Sequence, residues 1–328
     1  MDRESCSRGP RTRRGCRMKY QIKIILILIS MFFIAQLIGI FVANAYAPEI
    51  VQYTNQTTGL VETEKVYNLP YGFNPPEGTT PGTTVISILI AIAIAVLLIF
   101  ALMKIRAEIF LRLWFFVVVT IGLSLALNAF FIKIPNSAYI ALIIALPFAI
   151  IKVFQRNIIV HNFTEMLIYP GIATVFIPLL NVWTVVILLL FISVYDIYAV
   201  WHAGFMQKMA KYQIEKVRVF SGFFVPYMSK KDKELLKKSK LSKSKSKKGK
   251  KIGVNVAILG GGDVVFPIIL AGVVLAAFGV FAAILISIGA TIALSILFYY
   301  SEKGKFYPAM PFISAGCLVA LGVVYWIF

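Results

Sequence analysis

The sequence predicts an all-α polytopic membrane protein of nine transmembrane helices. Three observations predict it. Of its 328 residues, 59% are hydrophobic and 14% charged, where a soluble domain carries about a quarter charged residues. Apolar runs long enough to cross a bilayer recur along the chain. The basic residues sit between those runs, so the net charge of +19 marks membrane sidedness and does not point to nucleic acid.

The elements follow in order. A basic tail, 1–21, leads into a first span at 22–46. Its basic start and the small residues Ala43, Asn44 and Ala45 also fit a signal peptide. The apolar stretch from Ile24 to Ala43 exceeds the usual length of such a segment, so a retained helix is expected. The connection 47–82 carries Glu49, Glu62, Glu64 and Glu77 among Pro and Gly clusters and reads as an irregular external loop. Within it, Asn55-Gln56-Thr57 is a glycosylation sequon. Spans at 83–103, 110–132 and 137–154 come next. The fifth, 164–180, is short and holds Pro170, Gly171 and Pro178, which predicts a kink. The sixth, at 182–204, closes the segment 22–204.

The connection 205–251 has two parts. Phe205 to Val219 reads as an amphipathic helix at the inner surface. Lys230 to Lys251 is a Lys/Ser tract with too few apolar residues to fold. The last segment, 252–328, carries spans at 253–277, 280–300 and 308–327. With the N-terminus inside, 31 of the 33 Lys+Arg fall on the cytoplasmic side, and only Lys65 and Lys133 fall outside. A missed span would scramble this asymmetry, so it supports the count together with a cytoplasmic N-terminus and an external C-terminus.

Four aspartates occur. Asp2 and Asp232 lie in polar segments, whereas Asp196 and Asp263 lie inside spans. An aspartate at a helix centre costs about 2.5–3.5 kcal/mol on insertion, which makes both functional candidates. Asp196 is about 14 residues, or roughly 21 Å, from the outer end of span six. Asp263 is about 10 residues, or roughly 15 Å, from the inner end of span seven. Antiparallel neighbours at these depths bring the two carboxyls face to face. Such a pair shares a proton: one member activates a water and the other donates to a scissile carbonyl. Glu165, at a span boundary, and Glu302, in a short loop, do not compete. Cys6, Cys16 and Cys317 read as free thiols. His161, in a short inner loop, and His202 lie too far apart to hold a metal, so neither metal nor cofactor is expected. Trp183, Trp201, Trp326, Asn128 and Lys133 read as interfacial.

The local contexts are more specific. Tyr195-Asp196 lies in span six. Gly260-Gly261-Gly262-Asp263 lies in span seven. Pro308-Ala309-Met310-Pro311 starts span nine, where prolines leave carbonyls available to a bound peptide. Tyr195 either caps the acid pair through its hydroxyl or packs beside it. Gly261 makes a glycine triplet expected to loosen its helix. These three motifs, on the sixth, seventh and ninth of nine spans, resemble the presenilin and signal peptide peptidase family of GxGD intramembrane aspartyl proteases. Met310 stands where the family has Leu, a change that keeps volume and apolarity. The N-in orientation and Pro311 resemble presenilin more than signal peptide peptidase.

The resemblance implies an aspartic endopeptidase with Asp196 and Asp263 as catalytic dyad, Tyr195 and Gly260–Gly262 supporting it, and Pro308–Pro311 at the substrate. Substrates would be transmembrane helices, reached within membrane lipid, and no obligate partner subunit is evident. An archaeal-type homologue in a plasma membrane is expected. The family also implies strand addition by substrate near the inner ends of spans six and seven, where Val217–Phe220 and Ile252–Val256 have extended character. Two other readings use intramembrane aspartates: an ion- or proton-coupled transporter or channel, and a preflagellin or prepilin peptidase.

Overall fold

The computed structural model describes residues 22–54, 61–73, 81–104, 107–155, 157–203, 221–227, 255–301 and 307–328. The basic tail, the Asn55 sequon, the amphipathic and Lys/Ser parts of the 205–251 connection, and Val217–Phe220 lie outside them.

Nine helices run through the described residues. They are α1 (Ile22–Ala45), α2 (Pro81–Lys104), α3 (Glu108–Phe131), α4 (Ser137–Ile150), α5 (Ile158–Phe176), α6 (Val182–Tyr198), α7 (Gly261–Phe278), α8 (Val280–Tyr300) and α9 (Met310–Ile327). Eight, counting the π turn that extends α4, are long and apolar enough to cross a membrane, and α2 contains the apolar stretch Gly82–Ala95. Helices dominate because an apolar medium offers backbone groups no other partner. α4 runs on into the π turn Ile151–Gln155, and α6 into the π turn Ala199–Ala203.

Two helix starts are written in the sequence. Asn157 caps α5 by accepting from the Ile159 and Val160 N–H groups at 3.0 and 3.3 Å. Asn181 and Thr184 form a reciprocal capping box at the start of α6. The fifth span therefore begins near Ile158, not at 164. Its first two turns hold the polar residues His161, Asn162, Thr164 and Glu165, which mask its apolar period. His161 is accordingly helical, not in a loop.

The larger difference is at the seventh span. Residues Asn255–Gly260 form strand β4, which pairs antiparallel with β3 (Gly222–Tyr227), and α7 begins only at Gly261. Val256, Ile258 and the glycine triplet favour strand and turn over helix. Asp263 thus lies in the first turn of α7 and not ten residues into a helix. The connection 47–82 also differs from the expected irregular loop. Glu49–Thr54 and Val61–Val66, β1 and β2, form an antiparallel hairpin. Their Ile, Val, Thr and Tyr residues alternate with polar ones, a strand pattern beneath the Pro and Gly clusters.

α7 is the most buried span and packs against α1, α5, α6, α8 and α9. From α1, the fully buried Gln36 donates through Nε2 to the Val264 carbonyl at 3.1 Å. Asn128 is buried, not interfacial: its Nδ2 donates to the Tyr46 hydroxyl, which donates to the Leu125 carbonyl, each at 2.8 Å. Trp183, Trp201, Trp326 and Lys133 are exposed, and Cys317 is a buried free thiol.

Small residues allow the closest helix contacts. A Cβ on Gly171 of α5 would fall 1.8 Å from the Gly122 carbonyl oxygen of α3, whereas one on Gly322 meets nothing within 4 Å. Gly171→Ala is expected to destabilise by about 1–3 kcal/mol through overpacking. Gly322→Ala is expected to be neutral or mildly stabilising. Thermal unfolding of the two variants in detergent checks the contrast, and equal midpoints would remove the close-packing argument.

Candidate active site

Asp196 sits in the last turn of α6 and is 5% exposed. Its Oδ2 accepts the Met310 N–H at 3.1 Å, and the Ala309 N–H also bonds to the carboxyl. The reason is local. α9 starts at Met310, has Ala309 as its N-cap and lacks a side-chain cap of its own. First-turn N–H groups have no intrahelical partner, and the helix dipole favours an anion there. Asp196 therefore caps α9 from another helix. Pro311, in the same turn, has no N–H to satisfy. One turn from Asp196, the buried Ser193 donates to Ser314 of α9 at 2.9 Å. These contacts place Pro308-Ala309-Met310-Pro311 directly beside Asp196, with Pro308 and Met310 buried. The expected link between this motif and the site runs through its amides; the carbonyl contacts anticipated from the prolines would need a peptide.

Asp263 stands three residues after Gly260, the N-cap of α7. The Gly260 N–H bonds back to its carboxyl, half of a capping box made with an acid in the Glu position. Asp263 is half-buried, and its carboxyl interacts electrostatically with that of Asp196. The two aspartates thus lie within electrostatic range of each other, Asp196 in the last turn of α6 and Asp263 in the first turn of α7. The depth calculated along a continuous seventh helix does not apply. β4 takes the place of the first part of that helix, and Asp196 and Asp263 each lie at a helix end.

The glycines divide by role. A Cβ on Gly260 would come 3.1 Å from Asp263 Oδ2, so the N-cap has little room for a side chain. A Cβ on Gly261 would come 2.7 Å from Ser221 Oγ and 2.8 Å from the Tyr169 ring. The expectation that Gly261 loosens the helix therefore fails: Gly261 is buried at the tightest approach in the motif. Gly262 is exposed, with Phe266 the nearest neighbour at 3.8 Å. Tyr195 is half-buried and interacts electrostatically with Asp196.

Several residues at the site escaped the sequence reading. Glu165, set aside as a boundary residue, is 1% exposed and paired with Lys152, itself buried although it counts among the inner-side charges. Tyr169 packs on Gly261, and Gln36 holds the residue next to Asp263. The signal that singled out the aspartates, a polar group within an apolar run, also marks Gln36 and Glu165. Among the described residues, no group of three His, Cys, Asp or Glu side chains comes together.

The family model described as signal-peptide peptidase, presenilin aspartyl protease matches residues 66–327. Two crystal structures of a presenilin family intramembrane aspartate protease, in space groups C222 and P2, are similar in fold. Each is 17% identical with a TM-score of 0.55. The first match covers 93% of this chain and 99% of the solved chain, and the second 92% and 98%. At that identity the structures carry the fold alone. No curated protein sequence matches. The family match favours neither the transporter nor the prepilin-peptidase reading. The chain belongs to the signal peptide peptidase and presenilin family of intramembrane aspartyl proteases and is an aspartic endopeptidase.

Proposed function

We propose that Asp196 and Asp263 are the catalytic dyad and that the enzyme cleaves peptide bonds within transmembrane helices through a water activated between them. The observation that carries this reading is the electrostatic interaction of the two carboxyls, one in the last turn of α6 and the other in the first turn of α7. Two carboxyls so placed do not readily ionise together and hold one proton between them. The ionised member takes a proton from the attacking water, and the neutral member donates to the carbonyl oxygen of the scissile amide. Nitrogen then leaves with a proton and the dyad returns to its starting charge. Asp196, which receives the amides at the start of α9, is fixed in place by them. Tyr195 and the glycines support this pair, and Pro308–Pro311 borders the substrate.

A transmembrane helix must unwind to expose an amide, and its freed backbone groups then need partners. Sheet β3–β4 supplies an edge. On β3, the outward groups are already taken: Asn162 bonds to both the N–H and the carbonyl of Phe224, at 2.9 and 2.7 Å. His161 bonds to the Gly222 carbonyl at 2.8 Å. Pro226, at the next outward position, has no N–H. Antiparallel pairing alternates inward and outward residues, so the register Phe224↔Ile258 makes Val256, Ile258 and Gly260 the outward positions of β4. No third strand covers that edge among the described residues, and it leads directly to Asp263. An extended substrate segment adds there.

The loop charges support a cytoplasmic N-terminus and an external C-terminus, with the dyad nearer the inner face. We place the enzyme in an archaeal plasma membrane, acting on transmembrane helices without an obligate partner subunit.

Three measurements test this. With a single-span peptide in detergent, Asp196→Asn and Asp263→Asn should each lower kcat by at least ~10²-fold; two variants as active as wild type would end the dyad reading. Ile258→Pro removes an outward N–H and no bond of the β3–β4 ladder, and should raise KM several-fold while leaving thermal stability near wild type; an unchanged KM would exclude this edge. Gly261→Ala should lower both stability and activity. Gly262→Ala should leave stability unchanged, since its Cβ meets no atom closer than 3.8 Å.

A further inference from the structure

α5 carries polar side chains that the proposed reaction does not use directly: His161, Glu165 and Tyr169, all on one face and all buried. From the π turn after α4, Lys152 forms an ion pair with Glu165, and both side chains are 1% exposed. Removing two charges from water is expensive, and an apolar pair of similar volume is often as stable or more so. Stability is therefore a weak reason for the pair. What the pair does is fix the position of Glu165. Glu165 Oε1 also receives the Gly222 N–H at 3.4 Å, while its Oε2 is buried without a hydrogen bond.

One helical turn further, Tyr169 is 1% exposed. Its ring stands edge-on to Phe223 of β3, with centroids 5.5 Å apart. The hydroxyl lies near enough to Glu165 and Ser221 to be polarised by both, and it interacts with the Asp263 charge. It nevertheless closes a hydrogen bond of full geometry with none of them. Gly261 leaves the space in which it sits, since a Cβ there would stand 2.9 Å from the hydroxyl oxygen. A buried phenol, with Glu165 one turn away as its acidic neighbour, thus lies against Gly261 in the first turn of α7.

We propose that Tyr169 is a positioning residue for Asp263, its hydroxyl oriented by the Lys152–Glu165 pair and aimed across the gap that Gly261 leaves. The proposal rests on reading Asp263 as half of the dyad. Because Glu165 and His161 also hold Gly222, one buried array sets both the sheet that receives substrate and the aspartate that acts on it. Tyr169 touches no reacting atom; it acts on the Asp263 carboxyl through its field and through the Gly261 turn on which it packs.

Tyr169→Phe deletes one oxygen and keeps the ring contact with Phe223. With the full chain and a single-span peptide, kcat is expected to fall about 10-fold, the effect of removing one net polar interaction. KM should stay within about twofold, the mark of an interaction that does not contribute to substrate binding. The paired variant Lys152→Met, Glu165→Met removes both buried charges at similar volume. It is expected to keep wild-type thermal stability and to lose kcat as Tyr169→Phe does. Infrared bands of the Asp263 carboxyl, identified by difference against Asp263→Asn, should shift in Tyr169→Phe, and this readout needs no turnover. Wild-type kcat in both variants, or unshifted Asp263 bands, would overturn the proposal. If instead Asp196→Asn and Asp263→Asn cleave normally, the dyad reading fails, and the infrared bands alone decide whether Tyr169 positions Asp263.

Discussion

The acceptance of the Met310 N–H by Asp196 is the contact on which the site depends. A helix that begins inside an apolar medium leaves N–H groups with no water to bond. α9 has no cap of its own, so it docks where a carboxylate is available, and that carboxylate belongs to α6. The Ser193–Ser314 bond repeats the attachment one turn away. The same constraint runs through the rest of the molecule. Gln36 bonds to the Val264 carbonyl, Asn128 to Tyr46, and Asn162 to the β3 edge.

Each of these contacts joins elements distant in sequence. They determine which helix faces which, in a medium where burying apolar surface gives helices little reason to associate. Close packing at Gly122, Gly171, Gly289 and Gly316 then brings the joined helices to short range. The bundle is therefore specified by a few polar contacts and a few absent side chains. The site lies where several of those contacts meet around the first turn of α7.

Much of this was legible in the sequence. The nine spans followed from apolar runs and loop charges. The two aspartates stood out because an acid is costly in such runs, and the three motifs around them pointed to the family that the comparisons support. Less legible were the roles of residues whose meaning depends on neighbours. Glu165 looked like a boundary acid because polar residues in the first turns of α5 hid the start of the span. Asn128 looked interfacial because its partner, Tyr46, is on another helix. Gly261 looked like a point of slack because Tyr169 and Ser221, which fill the space beside it, are far away in sequence.

The amino-acid sequence by itself determined the class of the protein and the number of spans, and it singled out two aspartates inside those spans. These follow from composition, hydrophobic run length and the rarity of buried charge, all of which are local. Tertiary structure decided that the seventh span opens as a strand, that the amides of the Pro-Ala-Met-Pro segment hold Asp196, and that one edge of the β3–β4 sheet is already occupied. Each depends on a hydrogen-bond partner supplied from elsewhere in the chain, and pairing over such distances leaves no local periodicity to read.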